Sequence, residues 1–364
     1  MIHLIIVSIL SVCLAYLGSK DKFKYGLELA FIMLFAFSGF RFNYGNDYLN
    51  YYQLYNVITD TSFSLQGIIS KDIYKEMGWA LLNYACVPIT FFGLIIVVSL
   101  LTVSGVYYFV KNNVPKEWWT FAVLVYVFNF SFYALSLSMM RQSLAMSIFL
   151  VALHFMMRDK KLPSIAITYL ASTFHTSSLL LIPFMLIQYM HIKNTKKIVV
   201  LFTAIFFFFL VSSSLVESVF GYMLQTDDFE VYNSEGNMDG SSSIGIGAIL
   251  LFIVPFVFFS LSLSYNYTPA EKNILILAMV TTVLIPLSLT AALFMRVTYY
   301  FNIIYLLAIP LAARSPINRS KLTLYLTLYF IGMFYTYYMT LNGATYQKAF
   351  SEYNTIFEFG LNQL

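Results

Sequence analysis

Three arginines and one histidine are the side chains best suited to chemistry in this 364-residue chain. Arg41 follows a long apolar run, whereas Arg141 and Arg296 each stand close to the start of one. His175 lies in a short polar stretch between two apolar runs. A guanidinium group stays charged at any relevant pH and offers a rigid fork of donors that can hold two phosphate oxygens. Together these residues predict a site for a phosphate or a diphosphate.

A polar loop at residues 39–52 adds an acid to this set. Asp47 in that loop could be the ion-pair partner of Arg41, or it could act as an acid/base or bind an acceptor sugar. His175 could form local hydrogen bonds only, although imidazole titrates near neutral pH and therefore suits a general base. The sequence leaves His175 and Asp47 as the two candidate catalytic residues.

The alternative function of the charged and aromatic residues is to anchor the chain at a membrane boundary. A single arginine at such a boundary often contacts only lipid headgroups. Tyrosines can form an interfacial belt, or they can stack against sugar rings. The tyrosines that could contact a glycan are Tyr48, Tyr51, Tyr299 and Tyr300. Both functions stay open at the level of sequence.

The composition identifies the class of protein that holds these residues. Hydrophobic residues make up 60% of the chain and charged residues 10%, whereas a soluble domain is about one quarter charged. Apolar runs of about 20 residues recur, and each can cross a bilayer as a helix. We expect one all-α, polytopic transmembrane domain over residues 1–364, with about ten membrane-spanning helices. The net charge of +4 gives no reason to expect a nucleic-acid partner.

Most of the apolar runs predict upright helices. These are expected near 2–18, 26–40, 90–110, 118–137, 139–157, 198–216, 244–264, 273–293, 297–313 and 322–340. Residues 162–191 predict a hairpin of two short helices with His175 at its tip, because each apolar half has only about 13 residues. An amphipathic segment near 74–84 is expected in the membrane interface, with Trp79 at headgroup depth.

The distribution of basic residues predicts the orientation of the chain. Lysine and arginine concentrate in alternate loops, and the positive-inside rule then places both termini outside. The same rule places two longer loops outside, at 41–89 and 217–243. Arg41, Arg141 and Arg296 also fall on that external side, against the rule. We therefore expect the site on the external face.

Missing motifs narrow the chemistry further. The sequence has no Walker loop, no dinucleotide fingerprint and no His-Glu-x-x-His motif. Its four histidines fall on different predicted elements, which argues against a metal centre. Its two cysteines have no partner at ligand spacing. We expect neither a metal nor another cofactor.

Short motifs occur in order around the candidate residues. They are Arg41 with Gly45 to Tyr48 and Tyr51 to Tyr52, then Met140 to Ala145, then Phe174 to Ser178. As a set they resemble the EpsG-like branch of the Wzy polysaccharide polymerases. The resemblance implies a multi-pass enzyme of the bacterial cytoplasmic (inner) membrane. It would polymerise undecaprenyl-diphosphate-linked repeat units of an O-antigen, capsule or exopolysaccharide at the periplasmic or exterior face.

The resemblance also implies how the residues would work. The growing glycan would move from its lipid carrier to the incoming lipid-linked unit, which makes both lipid-linked glycans partners of the chain. Arg41, Arg141 and Arg296 would bind diphosphate, the last of these being added from the predicted topology. A flippase and a chain-length regulator would be further partners, alongside membrane lipids. Two other functions stay open, namely a glycan-modifying membrane O-acyltransferase and a flippase for lipid-linked oligosaccharides.

Overall fold

The computed structural model is helical almost throughout, which confirms the all-α prediction. It describes residues 1–60, 76–190, 194–212, 245–288 and 292–359. The predicted external loop at 217–243 lies outside these ranges. The other predicted external loop, 41–89, contains two helices within its described part.

The helices up to the candidate histidine come first in chain order. They are α1 (Ile2–Ser19), α2 (Gly26–Gly39), α3 (Tyr48–Asp60), α4 (Met77–Cys86), α5 (Thr90–Asn113), α6 (Trp119–Phe128), α7 (Tyr133–Ser136), α8 (Met140–Met157) and α9 (Lys161–Phe174). Short 3-10 turns cover Val87–Ile89, Lys116–Trp118, Thr176–Leu180 and Leu186–Tyr189.

The remaining helices follow the histidine. They are α10 (Leu181–Met185), α11 (Thr195–Val211), α12 (Ile246–Ala248), α13 (Val254–Ser262), α14 (Pro269–Ser288), α15 (Ala292–Asn302), α16 (Tyr305–Ala312), α17 (Arg319–Asn342), α18 (Ala344–Ala349) and α19 (Ile356–Phe359). A π-helical turn at Ile249–Ile253 joins α12 to α13.

Several of these helices are long and apolar enough to cross a membrane. Four meet that condition, namely Ile2–Ser19, Met77–Asn113, Met140–Met157 and Pro269–Ser288. The bent pair Leu293–Asn302 and Tyr305–Ala312 makes a fifth if the pair is counted as one span. The prediction of about ten spans is not confirmed over the described ranges.

The lower count has a physical reason in the lengths of the helices. The helix predicted at 26–40 has 14 residues, too few for the hydrocarbon core when upright. The helix predicted at 118–137 ends at Phe128, and a separate turn of helix begins at Tyr133. Apolar composition alone therefore overstated the length of continuous helix.

The chain divides into two compact units. The first unit comprises Met1–Phe155, Lys160–Leu179 and Thr336–Leu364, and the second comprises Met156–Asp159 and Leu180–Tyr335. The break predicted at the hairpin tip is present, because α9 ends at Phe174 and a 3-10 turn begins at Thr176. The pairing of the two predicted halves stays a prediction, since they belong to different units.

Polar contacts in the first unit fall at different levels along the helices. Glu28, near the start of α2, accepts a hydrogen bond from Lys111 near the end of α5, at 2.7 Å. Arg41, just past the end of α2, reaches Ser99 in the first half of α5, at 3.1 Å. The two helices are therefore antiparallel, and the charges at 28 and 41 lie at opposite ends of α2.

A small β-sheet in the first unit joins the segment after α2 to a segment near residue 354. Strand β1 (Arg41–Phe42) pairs antiparallel with β2 (Asn354–Thr355). Next to β2, the Tyr353 hydroxyl donates to the carbonyl of Phe37 at 2.8 Å, and the two rings stack with centroids 4.2 Å apart. The segment around residue 354 therefore holds the chain directly after α2.

Helix α4 has one buried face and one exposed face. The Trp79 side chain is fully buried, with its ring centroid 5.5 Å from that of Tyr51 in α3. Leu81 and Tyr84 lie on the exposed face of the helix. The amphipathic character expected near 74–84 is therefore present from Met77 onward, and the headgroup depth of Trp79 stays a prediction.

Candidate functional site

The carboxylate of Glu76 joins two of the predicted site residues. Its Oε2 accepts a hydrogen bond from Nη1 of Arg141 at 2.6 Å. Its Oε1 lies 3.0 Å from Nδ1 of His175. Glu76 is 6% exposed and His175 is 3% exposed, so both contacts are sheltered from solvent. We call these three residues the Glu76 cluster.

Further donors and the local charge keep Glu76 ionised. The backbone N–H of Thr176 donates to Oε1 at 2.9 Å. Burial by itself raises the pKa of Glu76, but the hydrogen bond from His175 and the charge of Arg141 outweigh it and lower that pKa to about 2. The residue directly precedes the candidate span that begins at Met77. Glu76 therefore carries a fixed negative charge at the start of that span.

Close packing of two helices sets the distance between Glu76 and His175. A Cβ atom on Gly78, in the first turn of α4, would lie 2.3 Å from the Thr173 hydroxyl and 3.0 Å from its carbonyl carbon. Helix α9 ends one residue after Thr173, and His175 follows directly. Glycine at position 78 thus allows α4 to approach the end of α9.

Arg141 occupies the first turn of α8, beside an aromatic wall. Its guanidinium carbon lies 5.8 Å from the ring centroid of Tyr51. Its backbone N–H donates to the Tyr51 hydroxyl at 3.5 Å. The Arg141 side chain is nevertheless 29% exposed, so a ligand can reach it. Tyr51, predicted to contact a glycan, is buried alongside Arg141.

Arg41 has a different environment, although it was predicted to share the same role. It is 1% exposed. Its Nε donates to the carbonyl of Tyr44 at 3.2 Å, and its Nη1 donates to the carbonyl of Ser38 and to the Ser99 hydroxyl. The guanidinium therefore ties together the end of α2, the loop that follows it and α5.

That loop also contacts the start of the helix that carries Arg141. Gly45 has φ +117°, a value that favours glycine, and a Cβ there would lie 2.1 Å from the carbonyl oxygen of Leu137. The backbone N–H of Asn46 donates to the Ser138 hydroxyl at 2.9 Å. The Arg41 loop and the residues directly before α8 are thus held together.

The other predicted residues lie in two places. Asp47 is half-buried just before α3, and Tyr48 is fully buried against Phe91 with ring centroids 5.4 Å apart. The rest lie on α15 in the second unit. They are Arg296 and Tyr299, which are half-buried, and Tyr300, which is buried. The structure thus brings Arg141, His175 and Tyr51 together with Glu76, and it leaves the roles of the others as predictions.

Glu76 is the residue that sequence reasoning missed. It stands directly before an apolar helix, where acidic residues are common because they favour the helix N-terminus. That signal does not distinguish a functional acid from an ordinary one. Its partners are 65 and 99 residues away in sequence, and only the packing of α4, α8 and α9 reveals them.

Within the described ranges, no group of three or more histidine, cysteine, aspartate or glutamate side chains is arranged to hold a metal ion. The expectation of a metal-free site stays a prediction.

Comparison with known proteins gives one match. A model of the EpsG family matches residues 24–355, a range that includes the whole Glu76 cluster. No significant match exists among curated proteins or among solved structures.

Proposed function

The chain belongs to the EpsG family, and from that premise we propose that it joins undecaprenyl-diphosphate-linked oligosaccharide repeat units into a surface polysaccharide. In general terms, family membership makes it a polysaccharide polymerase of the glycosyltransferase type, and its apolar helices make it a membrane protein. The proposal adds the lipid-diphosphate donor, the direction of transfer and the residues that act. It also favours the polymerase over the O-acyltransferase and flippase alternatives.

The observation that carries the proposal is the Glu76 cluster itself. A charged group suited to a diphosphate and an imidazole suited to proton transfer meet on one carboxylate, next to a candidate membrane span. A lipid-linked diphosphate would lie at that depth. This arrangement matches the two needs of glycosyl transfer from a lipid diphosphate, namely stabilising the leaving group and activating the acceptor.

Arg141 is the proposed ligand of the donor diphosphate. The acceptor hydroxyl oxygen bonds to the anomeric carbon of the growing glycan while the bond from that carbon to the diphosphate oxygen breaks. The electron pair of the broken bond leaves with undecaprenyl diphosphate, and negative charge develops there. A guanidinium placed beforehand at this point stabilises that charge in the transition state.

His175 is the proposed general base that takes the proton from the acceptor hydroxyl. Imidazole suits this task because its pKa lies near the working pH. Glu76 does not, since a carboxylate with a pKa of about 2 has little affinity for a proton at neutral pH. Asp47 stays the second candidate for the base.

The remaining residues have supporting roles in the proposal. Arg41 holds the loop after α2, because protein acceptors already surround its guanidinium. Arg296 stays a predicted diphosphate ligand. The tyrosines at 299 and 300 are proposed glycan contacts on the same helix. The reaction would run without a metal, at the periplasmic or exterior face of a bacterial inner membrane, with a flippase and a chain-length regulator as partners.

The test is polymerisation by the purified chain in lipid nanodiscs. Lipid-linked repeat units would be extracted from cells that lack this gene and supplied as the only substrate. We expect a ladder of longer glycans and one released undecaprenyl diphosphate for each unit added. A folded protein that releases no undecaprenyl diphosphate and makes no ladder from these units would contradict the proposal.

A further inference from the structure

We infer that Glu76 is a positioning residue, which selects the tautomer of His175 and stabilises its protonated form during transfer. The inference rests on the proposed function, because it explains how His175 would serve as the base. It assigns a role to a residue that no motif in the sequence singles out. The role follows from three contacts on the two carboxylate oxygens.

The first step concerns the proton on the imidazole. An ionised carboxylate has only acceptor sites, so a hydrogen bond between it and an imidazole nitrogen requires the proton to be on that nitrogen. Oε1 of Glu76 lies 3.0 Å from Nδ1 of His175, so Nδ1 carries the proton. In the neutral ring, Nε2 is then the nitrogen that accepts a proton from a substrate hydroxyl.

The second step concerns the orientation of the carboxylate. The backbone N–H of Thr176 donates to Oε1 at 2.9 Å, and Arg141 donates to Oε2 at 2.6 Å. Both oxygens are therefore fixed by groups other than the histidine. Thr176 follows His175 in the chain, so the hydrogen bond from the Thr176 backbone N–H also fixes the backbone of His175 next to Glu76. The imidazole is therefore held both through its backbone and at its Nδ1 atom.

The third step concerns charge. Glu76 and Arg141 together are neutral, and the proton that His175 takes from a hydroxyl adds one positive charge to a buried cluster. The carboxylate stabilises that charge, whereas Arg141 from α8 opposes it. Among the described residues, Tyr51 from α3 and the half-buried Asp47 are further ionisable groups near Arg141. Removing only the charge of Glu76 would leave the positive charge of Arg141 near the imidazole. The affinity of the imidazole for a proton would then fall.

The main test is Glu76→Gln, measured by polymer formation over a range of pH. We expect a loss of about 100-fold or more in turnover, the range that general-base catalysis contributes. We also expect the acid limb of the profile to move to lower pH, because the imidazole loses a proton more readily. Glu76→Asp keeps the charge and should keep the acid limb in its wild-type position. If Glu76 had only a structural role, the acid limb of Glu76→Gln would stay at the pH of the wild-type limb.

Glu28→Gln is the matched control. Glu28 is also a paired acid of the first unit, and its partner Lys111 lies at 2.7 Å, far along the helices from the cluster. Its turnover and its pH profile should equal those of the wild type. If Glu76→Gln matched Glu28→Gln in both respects, the inference would be wrong while the polymerase function stood.

A second measurement depends neither on activity nor on the folding of the Glu76 variants. In ¹⁵N NMR spectra of wild-type protein labelled with ¹⁵N-histidine, His175 should carry its proton on Nδ1. The His175 signal is assigned by its loss in His175→Gln. A proton on Nε2 in the neutral ring would overturn the inference. If wild-type protein made no polymer, the proposed function would fail instead, so the two failures are distinguishable.

Discussion

Arg41 and Arg141 were both predicted to bind diphosphate, but their side chains have different partners and different exposure. Arg41 is buried and donates to two backbone carbonyls and a serine hydroxyl. Arg141 is partly exposed and pairs with a carboxylate. Because the Arg141 side chain is 29% exposed, a diphosphate can approach it while the pair with Glu76 stays in place. To reach Arg41, the same ligand would have to displace the carbonyl groups that hold the loop.

Predicted depth in the membrane and positive charge therefore do not by themselves define a ligand site. A guanidinium bound to neutral backbone acceptors stabilises the fold. A guanidinium that is partly exposed beside a side-chain anion can also receive a substrate anion. Three substitutions and one comparison over pH test this distinction.

The first prediction concerns His175, which contacts the same carboxylate as Arg141. His175→Ala should lower turnover by about 10²- to 10⁴-fold, because the base is lost. Binding of undecaprenyl diphosphate should persist, since Arg141 remains. Turnover by polymer analysis and binding by calorimetry in nanodiscs would measure the two effects. Wild-type turnover in this variant would remove His175 from the mechanism.

The second prediction asks whether the planar fork of Arg141 matters. Arg141→Lys keeps the charge but loses the second donor to phosphate oxygens. We expect a loss of about ten- to a hundredfold in the rate of polymer formation, corresponding to roughly 1.5–3 kcal/mol for one charged hydrogen bond.

Arg314→Lys is the control for that variant. Arg314 also pairs with a glutamate, Glu271, but its side chain is 45% exposed. A pair of that kind contributes little, so polymer yield should not change. Wild-type polymer from both variants would mean that Arg141 is an anchor and not a diphosphate ligand.

The third prediction concerns Arg41→Lys. A lysine cannot reach all three acceptors in the same geometry, and each buried carbonyl left unpaired costs about 1–3 kcal/mol. The Tm of the purified protein should fall, while the rate per folded molecule stays within a few-fold of wild type. If the Tm held and the rate fell as in Arg141→Lys, the two arginines would share one role after all.

The fourth prediction uses pH. The folded-state pKa of Glu76 is lowered to about 2 from an ordinary value of 4.5. Its contribution to stability is therefore fully present above about pH 4.5 and is lost as the pH falls towards 2. The acceptors of Arg41 do not titrate. Thermal unfolding of Glu76→Gln should show a weaker loss of stability with acid than wild type over this interval, and parallel curves would contradict the assignment.

The sequence predicted those parts of the site that depend on local pattern. The chain does break at His175, and α8 does begin within one residue of Arg141. Both follow from where apolar runs meet short polar stretches. The all-α class followed from composition in the same way.

The rest could not be predicted, because it depends on which elements touch. Glu76 meets His175 where Gly78 lets α4 approach α9, and it meets Arg141 at the start of α8. Arg41 is held by backbone carbonyls, which carry no sequence signal. The predicted number of spans is not confirmed over the described ranges, because apolar composition does not reveal breaks such as that after Phe128.

The strand pair that closes the first unit also sets an order of events while the chain is being made. The contact between Tyr353 and Phe37 joins residues 316 positions apart. At about 5–20 residues per second, synthesis would take roughly 15–60 s to cover that distance. During this interval the nascent chain holds α1 and α2 without the partner of β1. The contacts of β2 with β1 and of Tyr353 with Phe37 therefore form only after all residues of the Glu76 cluster have been synthesised.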